Sequence, residues 1–216
     1  MPDTDTSHRL KSLIKREVLF MKTLIIFDHP YTATASDNVP HHRSFLAALL
    51  KATIKQLHAE NNEVDLIDLH ADNFNPVMTA DDLTNWRRGK PTDSQVEDYQ
   101  NRLLDADRII FMFPIWWEVM PAMTKGFLDK VYAKGVLYNA DTMKNKLTKS
   151  PKIEVITTMS TPRFAYKFLI GSPIAKMLFR GTFIKTRLWN FKWKNFSGVE
   201  KKPLAKREQI LNNFKL

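Results

Sequence analysis

Apolar residues along this chain fall into short solid blocks separated by longer, spaced series. The blocks are "KTLIIFDHP" from Lys22, "EVDLIDLH" from Glu63, "RIIFMFP" from Arg108 and "KIEVITTMS" from Lys152. Near-continuous apolar runs of that length predict strands covered on both faces. A fifth stretch, "TRLWNFKWKNFSGV" from Thr186, alternates apolar and polar residues and predicts a fifth strand. Between the blocks, apolar residues recur at helical spacing. Residues 43 to 61 carry Phe45, Leu49, Ala52, Ile54 and Leu57; "DSQVEDYQNRLLDAD" offers Asp93 or Ser94 as a cap; and Met120 to Ala133 packs through Met123, Phe127, Leu128, Val131 and Tyr132. Residues 163 to 180 read as an amphipathic helix interrupted near Gly171 and Pro173, and "PLAKREQILNNF" closes the chain as a helix with Pro203 in its first turn. "ADNFNPVMTADDLTNWRRGKPTD" reads as a long polar connection, of a length that is often functional or mobile.

Strands alternating with helices mean βαβ units and right-handed crossovers. The fold expected is therefore α/β, a doubly wound five-stranded parallel sheet with helices on both faces, in one domain from residue 21 to 216. Residues 1 to 20 read as an N-terminal extension, from an upstream start codon or as a short accessory helix through Leu10, Leu13, Ile14 and Val18. In such a sheet, ligands bind beyond the carboxyl ends of the strands, where the strand order reverses. Three strand ends carry unusual sequence.

After the first strand, "DHPYTATASDNVPHHRSFLAAL" has no glycine, yet its hydroxyls and small residues precede a helix N-terminus, a natural phosphate site. His29, His41, His42 and Arg43 add positive charge there; by itself, Ser44 or Asn38 could serve only as a helix cap. After the third strand, Pro114, Ile115, Trp116 and Trp117 put two adjacent indoles where a turn belongs. Exposed aromatic area of that size calls for a flat partner. After the fourth, Thr157 and Thr158 offer hydroxyls and amides at the same rim.

Charge sharpens this picture. The 216 residues carry a formal charge of +10, unevenly spread: twelve acidic and four basic residues from Glu60 to Asp107, against two acidic and sixteen basic from Lys144 to Arg207. That asymmetry suits an anionic partner or a solvated basic face. The absence of cysteine excludes disulfides and thiolate chemistry and fits a reducing cytoplasmic location. No apolar run approaches the ~20 residues of a membrane span, so stable membrane insertion is not expected.

"FDHP…SF…AL", "FPIWW…MPAMTKGFLDKVY" and the "TT" after strand four resemble the flavodoxin-like NAD(P)H:quinone oxidoreductases of the DT-diaphorase and modulator-of-drug-activity type. The resemblance runs from Met21 to the C-terminal helix, and its middle motif is the most specific part. It implies non-covalent FAD or FMN, with NAD(P)H as co-substrate. Its isoalloxazine would lie on Pro114, Ile115, Trp116 and Trp117, its phosphate near His29, Ser44 and Phe45, and its far edge near Thr157 and Thr158. Because the first loop looks longer than in the family, Ser36 and Asn38 are candidates for sharing the phosphate. Leu46 stands where the family often has Asn, and Met159-Ser160 where it often has a Gly pair, so Met159 joins the candidate cofactor contacts. Tyr166 lies near the place of a family tyrosine and is the candidate catalytic donor to the acceptor. The resemblance also implies a homodimer and ping-pong hydride transfer to a quinone or similar electrophile.

Three other readings compete. A flavodoxin-like electron carrier is disfavoured because such carriers are usually acidic. A regulatory subunit on a transporter or nucleic acid would use the basic clusters beside Trp189, Phe191 and Trp193, but their alternation points to a core-facing strand, so no nucleic-acid partner is expected. Metal binding through His29, His41 and His42, with Asp28 and Asp37, lacks a recognised ligand spacing, so no metal site is expected.

Overall fold

Five parallel strands form one sheet in a computed structural model that describes residues 21–37 and 43–216. The strands are β1 (Lys22–Phe27), β2 (Glu63–Asp68), β3 (Arg108–Pro114), β4 (Lys152–Met159) and β5 (Phe191–Ser197), in the order β2-β1-β3-β4-β5. The helices are α1 (Phe45–Ala59), α2 (Ala80–Arg87), α3 (Ser94–Asp105), α4 (Ala122–Val131), α5 (Arg163–Phe168), α6 (Ala175–Ile184), which is wound as a π-helix, and α7 (Leu204–Asn212). The accessory helix expected before Met21 lies outside the described residues, as do Asn38, His41 and His42.

Strand periodicity divides the core in two. Leu24, Ile26, Ile109, Phe111, Phe113, Ile153 and Val155 pack with Tyr99 of α3, Phe127 of α4 and Phe183 of α6. The alternate positions Ile25, Phe27, Ile110, Met112 and Ile156 pack with Phe45, Leu46, Leu49 and Leu50 of α1 and with Phe214 beyond α7. Both faces of the sheet are thus buried, as the unbroken apolar strand sequences require.

Two expectations need correction. β5 starts at Phe191, five residues later than its pattern suggested, and Trp189 is exposed to solvent. The residues before it form the turn that follows α6: Thr186 and Arg187 give their carbonyls to the Asn145 side-chain amide. The long polar connection also contains α2, which buries no residue and so leaves no hydrophobic stripe in the sequence. Its signature is the capping box of Thr79 and Asp82, each side chain bonding the other's backbone N–H.

That connection is tightly held. Gly126 of α4 lies against Pro76, and a Cβ built on the glycine would come within 2.3 Å of the proline Cβ. The ammonium of Lys130, almost wholly buried, donates to the Asn75 carbonyl (3.2 Å) and pairs with Asp82 (3.4 Å) and Asp93 (3.5 Å). Gly126 therefore marks a close approach of two backbones rather than a flexible joint.

Candidate active site at the carboxyl edge of the sheet

Strand order reverses between β1 and β3, and the ends of both open into a cleft of about 480 Å³. Its walls are His29 after β1; Arg43, Ser44, Phe45 and Leu46 at the start of α1; Pro114, Ile115 and Trp116 after β3; Thr158, Met159 and Ser160 at the end of β4; and Val199, Glu200 and Arg207 near the C-terminus.

The α1 end is built for an anion. Ser44 caps the helix, its hydroxyl accepting from Ala47 N–H at 3.0 Å, so the capping role weighed for it from the sequence is real. The preceding amides, of Phe45 and Leu46, have no intrahelical acceptor available to them. Arg43 leans over the Tyr31 ring at 5.8 Å. Across the cleft, the Nε of Arg207 is buried without a hydrogen-bond partner among the described residues. A buried guanidinium N–H left unpaired is costly unless something accepts from it.

His29 accepts the Tyr31 backbone N–H on Nδ1 at 3.2 Å, so its neutral form carries the proton on Nε2. Burial lowers its pKa, the nearby Asp28 carboxylate opposing that shift. Neutral His29 is therefore a hydrogen-bond donor at the cleft rather than a fixed cation. Asp28 faces away. Its Oδ2 accepts from Thr124 N–H (2.9 Å) and hydroxyl (2.5 Å), and its Oδ1 meets His70 Nε2 at 3.1 Å. It caps α4, whose own N-cap residue, Pro121, has no side-chain donor or acceptor to offer. Both carboxylate oxygens are engaged, and no cluster of three potential metal ligands occurs among the described residues.

The two tryptophans part company. Ile115 N–H donates to the Thr158 carbonyl at 2.7 Å, pinning the end of β3 to β4. The chain then reverses through Trp116–Val119, closed by reciprocal backbone bonds of 3.0 and 3.1 Å. Trp117 and Glu118, the central residues, take positive φ of 48° and 67°, the conformation of a primed hairpin turn normally filled by Asn-Gly. Trp116 lines the cleft and is 45% exposed; Trp117 is 98% exposed and lies outside it. Of the two indoles, the structure thus brings Trp116 to this cleft and leaves Trp117 on the surface beside it.

Three other expected residues stand elsewhere. Thr157, fully buried, accepts the Trp193 indole N–H (2.9 Å) and donates to Asn195 Oδ1 (2.8 Å). Because side chains alternate along a strand, it points away from the cleft that Thr158 and the next residues line. Ser36 sits on a 3-10 turn, its hydroxyl 3.5 Å from Asp37, and faces the outer side of α1 beside Lys51. Tyr166 is 1% exposed; its hydroxyl donates to the Glu118 carbonyl (3.0 Å) and accepts from Ile174 N–H (3.1 Å). Burial raises its pKa. It braces the turn from behind and lines a separate cavity of about 270 Å³ with Arg163 and Trp193, outside the main cleft. Sequence reasoning missed Glu200, on the 3-10 turn after β5, and Arg207, which the packing of α7 brings to the cleft.

A family model described as "Flavodoxin-like fold" matches residues 21–215. The chain belongs to this family, Flavodoxin_2. An uncharacterized NAD(P)H oxidoreductase of Haemophilus influenzae is 31% identical over 183 residues, covering 83% of this chain and 85% of that protein. NAD(P)H dehydrogenase [quinone] 1 of Rattus norvegicus is 32% identical over 123 residues, 48% of this chain and 43% of the rat protein. For most of the first curated relatives the matched stretch spans about half their length. Among solved structures, Smu.1420 from Streptococcus mutans UA159 superposes with a TM-score of 0.73 at 29% identity, covering 89% of this chain and 95% of that one.

Proposed function

We propose that the chain is a flavin-dependent NAD(P)H oxidoreductase that reduces quinones or similar electrophilic acceptors. One observation carries the reading. At the switch point of a flavodoxin-like sheet, an exposed indole, a helix N-terminus with two free amides and an arginine with an orphaned buried N–H line a single cleft. A flat, anionic ligand satisfies all three at once.

A flavin, as FAD or FMN, fits those donors and supplies the hydride chemistry, taking two electrons from NAD(P)H and delivering them to the acceptor. The chain's part is binding and orientation. Trp116, with Pro114 and Ile115 beneath it, offers the aromatic floor. Phe45 and Leu46 amides, Ser44, Arg43 and Arg207 hold phosphate, aided by the helix dipole. His29 donates from Nε2. Thr158 and Met159 close the β4 side. Both substrates use the same mouth in turn, which predicts ping-pong kinetics. A homodimer belongs to the same proposal, and sedimentation velocity measures it.

The purified protein is expected to be yellow and to release FAD or FMN on denaturation, identified by mass. In a stopped-flow mixing experiment its flavin band should bleach rapidly with NADPH or NADH, which an electron carrier would not do. A colourless protein that takes up neither added flavin overturns the proposal.

A further inference from the structure

The two edges of the sheet are finished differently. At β2 the edge is blunted: Arg102 of α3 donates to the Leu66 carbonyl (2.8 Å) while gripping both Asp65 oxygens (2.6 and 3.0 Å). At β5 nothing comparable occurs. Parallel pairing turns alternate residues of β5 toward β4, as the Asn190 carbonyl on Ile153 N–H (2.9 Å) and Gly198 N–H on the Met159 carbonyl (2.7 Å) show at its two ends. The N–H and C=O groups of Trp193 and Asn195 therefore point away from the sheet, and no described residue pairs with them. On the α7 side of this bare edge, a groove of about 520 Å³ holds Arg163, Lys194, Lys206 and Lys215 over Phe196 and Ile210. On the other side lies the smaller cavity of Tyr166, and Arg163, Trp193 and Asn195 line both. A strand edge between two hollows is the setting in which an extended peptide adds to a sheet, its alternate side chains entering the hollows.

Charge selects the occupant. Among the described residues, no Asp or Glu lines either hollow, and none of the four cations makes an ion pair. Glu154, whose field reaches Lys194, is buried and pairs with Lys152 instead. Every charged residue of β5 is lysine, so a second β5 laid against this one meets only its own sign in any register. Nor are the aromatic rings free to stack on nucleic-acid bases. Trp193 packs edge-on to Tyr166 and Phe179 and donates its indole N–H to Thr157, while Phe196 packs with Phe45 and Phe214.

We infer that the β5 edge docks an acidic extended peptide of a partner protein, added as a further strand. The outward main-chain groups of Trp193 and Asn195 bond its backbone. Acidic side chains on one face meet Lys194, Lys206 and Lys215; apolar side chains on the other enter the hollow beside Tyr166 and Trp193. No residue lines both these hollows and the candidate active site, and the inference stands apart from the proposed function.

The test uses the full chain and a fluorescein-labelled peptide of alternating Val and Glu, beside a version with Lys for Glu. Fluorescence anisotropy should show the Glu peptide binding about tenfold tighter or more than the Lys peptide, and weakening with salt. Amide exchange at Trp193 and Asn195, followed by NMR, should slow about tenfold or more at saturation. Lys206→Glu with Lys215→Glu, both at exposed positions, should reverse the preference. Asn195→Pro removes an outward N–H, leaves the β4 ladder its donors, and should lower affinity about tenfold. Circular dichroism should be unchanged in each, and the exposed pair decides the matter should the proline unfold the chain. The inference fails if the Lys peptide binds as well as the Glu peptide, if those amides exchange as before, or if the charge-reversed pair keeps the preference. A single-stranded oligonucleotide that binds more tightly than the Glu peptide overturns it too. So does an Asn195→Pro protein that passes from dimer to monomer, since a second copy then covers the edge. None of these readings needs flavin or turnover, so this inference and the oxidoreductase reading fail separately.

Discussion

Replacing Asp28 by alanine removes the cap of α4, and the structure allows its cost to be worked out. Two charge-assisted bonds to Thr124 are lost, at 2.9 and 2.5 Å. Thr124 is 1% exposed, so its N–H and hydroxyl become buried donors with no acceptor. A lost cap costs about 1 kcal/mol, and an orphaned buried polar group about 1–3 kcal/mol. With the N–H counted in the cap and the hydroxyl as the orphan, the expected total is about 2–4 kcal/mol. For a chain of this length each kcal/mol moves Tm by roughly 2–4 °C, so Asp28→Ala should melt on the order of 10 °C below the parent. Asp28→Asn keeps one carbonyl oxygen for Thr124 and should lose about 1–2 kcal/mol. Urea denaturation with an unchanged m-value reads the difference directly. A cycle combining Asp28→Asn with Thr124→Val then isolates the pairwise coupling, expected above about 1 kcal/mol. An Asp28→Ala protein that melts within about 3 °C of the parent would refute the capping argument.

Gly126→Ala places a methyl carbon where Pro76 already stands, and should destabilise by about 1–3 kcal/mol or abolish folding, read from the same denaturation curves. Trp117→Gly relieves roughly 1–2 kcal/mol of left-handed strain against roughly 0.5–1 kcal/mol of added unfolded-chain entropy; Tm should rise slightly, and a fall would mean the indole makes stabilising contacts. Trp116→Ala should weaken flavin binding about 10- to 100-fold by fluorescence titration, the loss of one aromatic stacking partner. His29 has a folded-state pKa below its unfolded value, so the unfolded chain binds more protons between the two. Its contribution is complete above the ordinary histidine range near 6.5 and is lost as pH falls through that range; His29→Gln should flatten that slope of stability against pH.

Most of the architecture could be read from apolar periodicity because both faces of the sheet are buried. Lys22 to Phe27 and Arg108 to Pro114 match their apolar blocks almost residue for residue. What escaped was structure with no hydrophobic signature. α2 buries none of its residues and is announced only by its cap, and the turn after α6 was mistaken for strand because Trp189 continues the alternation of β5. At the site, motif and strand end located the cleft, but direction within it did not follow. Thr157 and Thr158 diverge by the two-residue period of β4, Trp116 and Trp117 by a two-residue reversal, and Tyr166 by a hydroxyl that found partners inside. Arg207, some ninety residues beyond Trp116, is brought to the same cleft by the docking of α7, which no local pattern records.

The lashing of the 71–93 connection by Lys130 has a consequence for handling the protein. Its composition, rich in Asp, Asn, Thr and Pro, invites cleavage, and Arg87 and Arg88 within it are trypsin sites. A protease must straighten roughly ten residues to cut, and here that means dragging Asp82 and Asp93 off a buried ammonium and Pro76 away from Gly126. Nicking at those two sites should consequently lag until the whole domain opens, making this stretch a reporter of global unfolding rather than a weak point.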